Sequence, residues 1–443
     1  MNESNQNQGY SVALDIGTTK VCVLIGRRNE HGKIEILGHG KVESKGVLKG
    51  VVSNIEKTVQ AINEAMAKAR RRANLPVNKV YVGIAGQHIK SMQHRGILTR
   101  DHSHEEINED DIQSLIKDMY KLQLSAGERI VHIIPQEFTV DNEQGIADPR
   151  GMSGVRLEAN FHILTGQVTA IQNLERCIQK ANLSIAGMTF EPLAAGNAVL
   201  SEEEKEAGVV LVDIGGGTTD ISIYHEGIVR YTAVLPIGGN LITKDIREGC
   251  SILPDRAEKL KTAYGSAMPE EVFQNRVISI PGLKGHEHKE ISERNLARII
   301  QARVEDILDY TMQKVREAGY DRKLTGGIVL TGGGAELNHI NLFTAYATGM
   351  TTRIGQPAEQ LANGYDKEIA GPAYATVLGL LIQGLEKPFF PDEESADEIY
   401  NRAKVTENEE ELVPTSDVER KPWLDKLFEK AREIFKDENS PNF

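Results

Sequence analysis

The chain of 443 residues carries 51 lysines and arginines against 64 aspartates and glutamates, a net charge of -13. That length exceeds what one hydrophobic core serves, so two or more lobes are expected, and an acidic excess without basic clusters argues against nucleic acid as a partner. Cys22, Cys177 and Cys250 stand far apart without metal-ligand spacing, as in a reducing compartment. The apolar core of a secretion signal and a run of about 18 apolar residues are both missing, so a cytosolic chain with no spanning helix is expected.

The first informative segment is Asp15-Ile16-Gly17-Thr18-Thr19-Lys20, set between apolar runs at 10–14 and 21–25 that read as buried strands. Glycine and small hydroxyl residues in such a hairpin turn leave backbone N–H groups free to form an anion nest. An aspartate beside a polyphosphate is repelled unless a cation lies between them, and Mg²⁺ held largely through water suits that gap. A helix follows at 53–73, with Ile55, Val59, Ile62, Met66 and Ala69 on one face, and a strand at 80–85. Residues 86–162 change character: a helix starting near Glu105, an alternating strand at 129–140, and a loop with Asp148-Pro149 and Gly151 read as an inserted subdomain. A helix at 168–181 and a strand at 184–191 then return to the first sheet.

A second grip, Asp213-Ile214-Gly215-Gly216-Gly217-Thr218-Thr219-Asp220, again joins two strands, 209–212 and 221–224, with a further strand at 228–234. Helices are expected at 255–264 and 293–318. A strand at 328–330 delivers a third glycine turn, Gly332-Gly333-Gly334, read as opening a helix. The repeated strand–grip–strand unit suggests duplication at half-chain scale, with two lobes facing a cleft.

Beyond residue 385 the composition turns acidic and proline-bearing, so 386–420 reads as an extended, self-repelling linker. In 421–437 Trp423, Leu424, Leu427, Phe428, Ile434 and Phe435 share one helical face, and the polar face leans basic. Such a helix could dock on the body. The long tether and the placement of the chain's only tryptophan favour an anionic membrane surface, bound weakly by each copy and firmly by several.

The two Asp-x-Gly turns, the later glycine turn, and Glu191-Pro192-Leu193-Ala194-Ala195 before the second grip resemble, in that order, the signatures of the actin, Hsp70 and sugar-kinase superfamily. Within it the chain is similar to the FtsA family of bacterial cell-division proteins, from about residue 10 to 385 and again at the terminal helix. The strings that carry this are Gly145-Ile146, Pro149, Gly151-Met152-Ser153-Gly154-Val155-Arg156, Leu235-Pro236-Ile237-Gly238-Gly239-Asn240, and Ala257-Glu258 through Lys261 to Tyr264-Gly265.

The resemblance implies an α/β, actin-like two-lobed ATPase fold with an inserted subdomain of the 1C type. The first lobe would span 9–85, 163–200 and 366–385, the insertion 86–162, the second lobe 201–236 and 320–365, and its smaller subdomain 237–319. By position it implies ATP and Mg²⁺ as cofactors, with Asp15 and Asp213 orienting the metal. Gly17, Thr18, Thr19 and Lys20 would hold phosphate from one side, and Gly215, Gly216, Gly217 and Thr218 from the other. Glu258 and Lys261 would hold the ribose, and Gly332, Gly333 and Gly334 would lie against adenosine. Glu191 would place an attacking water, or only fix its loop; Asp220 would close the catalytic set, or only begin a strand. That set would suffice for a slow ATPase. The implied partners are the C-terminal tail of FtsZ, further copies in a filament, the anionic membrane and other division proteins, at the cytoplasmic face of the cell membrane. Asn295 and Arg303 are exposed-type candidates for the FtsZ tail, though a solvated helix face accounts for them equally. A soluble phosphotransferase of the same superfamily is the alternative, but it has no use for a tethered helix. A chaperone-like ATPase would need a folded module after residue 385.

Overall fold

The computed structural model describes residues 9–100, 106–281 and 288–386. The linker from 387 onward and the terminal helix with Trp423, Leu424, Leu427, Phe428, Ile434 and Phe435 lie outside the described residues, as does Glu105.

The first lobe begins with β1 (Tyr10–Ile16), β2 (Lys20–Arg28), β3 (Ile34–Glu43) and a short hairpin of β4 (Val47–Leu48) and β5 (Val51–Val52). α1 (Ile55–Ala73) and β6 (Lys79–Ile84) complete its first pass. α1 starts where the Asn54 side chain accepts from the Lys57 N–H, and stops at Asn74 in a left-handed conformation with three arginines in the last turn. It buries Ala61, Ile62, Ala65, Met66 and Ala69, and Gly38 and Gly40 of β3 let it come close: a Cβ at Gly40 would fall 2.0 Å from the Ala65 carbonyl oxygen.

The insertion contributes β7 (Lys90–Thr99), α2 (Glu109–Met119), β8 (Glu128–Val140), β9 (Glu143–Ile146) and β10 (Arg156–Gln167), in the sheet order β7-β10-β8-β9. α2 starts at Glu109 rather than near Glu105, because Asn108 and Asp111 form a reciprocal capping box there. Its apolar side, Ile112, Leu115 and Met119, joins Phe138, Leu157, Phe161 and Ile163 in a separate small core.

The chain returns through α3 (Val168–Lys180) and β11 (Ser184–Phe190) to α4 (Glu191–Val199). The strand ends one residue before Glu191, which is the first residue of α4; Pro192 suits a helix's first turn and stops the ladder. The second lobe comprises α5 (Glu202–Ala207), β12 (Val209–Ile214), β13 (Thr219–His225), β14 (Ile228–Leu235), α6 (Gly239–Cys250), α7 (Pro254–Tyr264), β15 (Val277–Ile280), β16 (Lys289–Ser292) and α8 (Glu293–Glu317). It closes with β17 (Gly327–Thr331), α9 (Ile340–Thr348), β18 (Thr352–Ile354) and α10 (Ala375–Leu385). The third glycine turn opens only a single 3₁₀ turn, Gly333–Glu336, and α9 starts after it. Glycine is a poor helix former, and Gly332 has a positive φ of 81°.

The two main sheets repeat one topology. The first runs β3-β2-β1-β6-β11 and the second β14-β13-β12-β17-β18. In each, an antiparallel hairpin is followed by a parallel central pair, β1 with β6 and β12 with β17. Both hairpins are buried on both faces, which is why they read as unbroken apolar runs. Between the lobes lies a third core in which α4 and α10 meet through Ala194, Ala195, Val377, Leu378 and Leu381.

At that meeting point a Cβ on Gly379 would lie 1.8 Å from the Ala194 carbonyl oxygen. An exposed helical Gly→Ala change gains about 1 kcal/mol, but Gly379→Ala is expected to cost about 1–3 kcal/mol by overpacking, read as a lowered denaturant midpoint.

Candidate nucleotide site

Both grips are closed in the same way. The Gly17 N–H donates to the Lys20 carbonyl at 2.9 Å, and the Gly215 N–H donates to the Thr218 carbonyl at 2.9 Å. None of Gly17, Gly215, Gly216 and Gly217 has a positive φ, so glycine is needed there for room rather than for backbone freedom. The turns face each other directly: a Cβ at Gly216 would fall 2.2 Å from Thr19 Cγ2, and one at Gly217 would fall 2.7 Å from Thr18 Oγ1. The β4–β5 hairpin spans the junction. Its Gly50 N–H donates to Thr18 Oγ1 at 3.1 Å, while the Lys49 Cα would lie 3.1 Å from a Cβ on Gly217.

Acidic groups gather behind these turns. Asp15, one residue before the end of β1, stands opposite Cys22, and Asp213 stands opposite Asp220 in the second hairpin. Asp15 and Asp220 are buried, whereas Asp213 and Glu191 keep an exposed edge. Burial raises the Asp15 carboxyl, with Lys20 pulling against it. Burial also pushes Asp213 up to about 6, opposed by Lys20 and by the Thr376 hydroxyl, which donates to its Oδ2 at 3.1 Å. Asp220 and Glu191 lie well above the usual carboxylate range, first through burial and then through the other carboxylates of the group. Lys20 points its ammonium at the Ala373 carbonyl and over the Tyr374 ring. Asp220 Oδ1 is buried with no hydrogen-bond partner. Asp15, Asp213 and Glu191 share Lys20, and Asp220 adds an orphaned acidic oxygen; among the described residues no three of these carboxylates bring ligand atoms within 4.8 Å of one another, so their chemistry suits a hard divalent cation such as Mg²⁺ only when held through water.

The other positions implied to hold nucleotide form two adjoining groups. Lys261 Nζ donates to Glu258 Oε2 at 2.8 Å, to Thr243 Oγ1 at 2.8 Å and to the Gly239 carbonyl at 3.0 Å. Gly239 in turn donates its N–H to the Gly215 carbonyl at 2.9 Å, so the α7 pair is tied to the second grip. The third glycine turn presses on the end of β12: a Cβ at Gly332 would fall 2.1 Å from Asp213 Oδ1, and one at Gly334 would fall 2.3 Å from Ile214 Cγ2. Gly333 alone faces open space.

Asn295 and Arg303 stand apart on α8. Asn295 is exposed, as expected. Arg303 is half-buried and holds Asp245 of α6 through Nε at 2.6 Å and a second nitrogen at 3.2 Å, with Asp306 at 2.8 Å. It is not the free surface cation that its helix position suggests, because α6 packs on α8 and supplies the carboxylate.

Sequence reasoning missed Thr243, Thr376 and Gly83. A Cβ on Gly83 would lie 2.8 Å from Glu191 Cγ, so β6 must carry glycine there for the glutamate to enter. The signal was a glycine inside an apolar strand, which marks close approach.

Comparison with known proteins shows the family and the fold. A family model described as cell division protein FtsA matches residues 210–379, and one described as an SHS2 domain inserted in FtsA matches residues 86–165. The cell division protein FtsA of Pseudomonas aeruginosa is 38% identical over 87% of this chain and 91% of its own length. The chain belongs to the FtsA family of cell-division proteins. FtsA of Escherichia coli is 32% identical over 85% of this chain and 90% of its own length, and FtsA of Bacillus subtilis 34% identical over 89% of each. Among solved structures, a PilM–PilN type IV pilus biogenesis complex superposes with a TM-score of 0.64 at 14% identity, covering 86% of this chain and 100% of that one. MreB5 of Spiroplasma citri bound to ADP superposes at 0.50 and 15% identity, covering 88% and 98%. These likenesses show the fold: a mixed α/β, actin-like FtsA architecture with an SHS2 insertion. No helix among the described residues is long and apolar enough to cross a membrane.

The raised Asp213 carboxyl has a consequence for stability without ligand. Its folded value of about 6 exceeds the 3.8 of an ordinary aspartate, so its contribution is fully present below the unfolded value and is lost as pH rises through about 6. Asp213→Asn is expected to remove that loss, so that the variant's melting temperature gains on the wild type between about pH 4 and pH 7 in calorimetry without magnesium or nucleotide.

Proposed function

We propose that this FtsA-family protein binds ATP with Mg²⁺ between its two grips and, in that form, anchors the FtsZ ring to the cytoplasmic face of the cell membrane. The observation that carries the reading is the group formed by Asp15, Asp213, Asp220 and Glu191 around Lys20, directly behind two facing glycine turns. A triphosphate entering there parts the contact of Thr19 with Gly216, and the freed N–H groups of both turns point at its oxygens. Bound magnesium would neutralise the phosphate oxygens that face Asp15 and Asp213. Lys20 supplies a second positive group, Glu258 and Lys261 receive the ribose, and Gly332 to Gly334 leave space beside the base. Glu191, at the start of α4 and facing the same group, orients a water for slow hydrolysis, with Asp220 completing the polar wall.

Assembly follows from the remaining parts. Copies join through the inserted subdomain into a filament, which multiplies the weak hold of each terminal helix on anionic lipid. Residues 237–319 receive the FtsZ tail, with Asn295 exposed for contact. Arg303 takes part only by exchanging Asp245 for a carboxylate of the tail. Other division proteins are recruited to the same assembly.

Calorimetry with purified full-length protein is expected to show ATP uptake that depends on magnesium, reduced at least about tenfold by Asp213→Ala. Absence of uptake by the wild type would defeat the nucleotide reading. Co-sedimentation with vesicles containing anionic lipid is expected for the full chain and lost on deleting residues 423–435; undiminished binding after the deletion would exclude the terminal helix as the anchor.

A further inference from the structure

The link from β6 to β7, where the chain leaves the first lobe for the inserted subdomain, contains a histidine that the proposed chemistry does not use. His88 is only 7% exposed, and both ring nitrogens are buried without a partner. Burial pushes its pKa down to about 4, so the ring is neutral, with one donor and one acceptor to satisfy. Leaving a buried polar group unpaired costs about 1–3 kcal/mol, which asks for a partner.

That partner has a place. A cavity of about 10 Å³ lies under the β4–β5 hairpin, walled by His88, Glu191, Gly50, Gly83, Ile84 and Ala85. This is close to the space one water needs, and its walls supply polar groups from several sides. The glycines keep it in place. Gly83 makes room for Glu191, Gly86 at φ 122° would bring a Cβ within 3.1 Å of His88 Nδ1, and a Cβ at Gly50 would fall 2.6 Å from the Gly86 Cα. Glu191 makes no direct hydrogen bond to another side chain among the described residues.

We propose that His88 and Glu191 hold one internal water between them, which makes His88 a positioning residue for Glu191 and the point where the inserted subdomain touches the nucleotide site. The inference rests on the reading that Glu191 faces bound nucleotide. A shift of β7 relative to β6 then moves His88, the water and the Glu191 carboxylate together, so rearrangement of the insertion is felt at the site without any change in the grips.

The test uses full-length protein with ¹⁵N-labelled histidine rings, the His88 signals being assigned by their disappearance in His88→Gln. Glu191→Gln is expected to move the His88 ring resonances and to leave those of His132 in place. His132 is the control because its Nε2 accepts the Phe190 N–H at 2.9 Å, next to Glu191 in the chain but outside the cavity. Unmoved His88 signals overturn the proposal, and so does equal movement of His132, which would indicate a general adjustment at the start of α4. ATP uptake by the wild type, measured on the same sample, tests the nucleotide reading separately: its absence removes that reading while the coupling of the two side chains stands or falls on the spectra.

Discussion

The arrangement on which the rest depends is a concentration of negative charge that the fold does not neutralise. Burial raises the carboxyls of Asp15, Asp213, Asp220 and Glu191; neighbouring carboxylates raise Asp213, Asp220 and Glu191 further, while Lys20 relieves Asp15, Asp213 and Glu191. Removing carboxylates from water and setting them side by side is unfavourable on both counts. A protein that keeps such a group in its interior concentrates an unfavourable energy there, which the packing around it must offset.

The duplicated sheets explain how that charge is held. Each lobe places an acidic residue next to the end of its central strand and turns back through glycine, and glycines of the parallel neighbour or the turn after it approach acidic groups: Gly83 beside Glu191, Gly332 beside Asp213. The lobes approach across α4 and α10, where Ala194 and Gly379 allow backbone contact.

The inserted subdomain packs Ile89, Leu164, Val131 and Ile134 into the first lobe's core, and hydrogen bonds join it to both lobes. The His132 Nε2 accepts from Phe190 in the first lobe, His162 pairs with Thr232 of β14 at 2.9 Å, and Gln136 donates to the Val229 carbonyl at 2.7 Å. Arg230 pairs with Glu137 across the same boundary. Burial pushes His132 and His162 to about 4, so the two histidine joints stay uncharged near neutral pH. Polar joints of this kind fix orientation while permitting rearrangement at modest cost, because each bond is worth only about 1 kcal/mol net.

Much of this was legible in the residues. Buried hairpins announce themselves as apolar runs around Gly17 and Gly215–Gly217, and Asn54 and the periodicity of Ile55 to Ala69 mark α1. Elements that are apolar on every side were harder: α10, with Ala375 to Leu385 almost wholly buried, has no periodicity to separate helix from strand. The start of α2 and the end of β11 were misplaced by a few residues, since capping and the first turn of a helix depend on single side chains such as Asn108 and Pro192. Arg303 looked free because its partner, Asp245, belongs to another helix.

By itself the sequence determined the two glycine turns, the acidic residue that heads each, and the apolar strands that carry them, because these are local properties of a few consecutive residues. Only the tertiary structure decided that carboxylates from β1, β12 and α4 share one lysine with Asp220 of β13 beside them, that Gly83 admits Glu191, and that His88 opens onto the same cavity. Those are matters of burial and distance between segments far apart in the chain, and no local pattern encodes a contact whose two sides are chosen by how separate sheets close on each other.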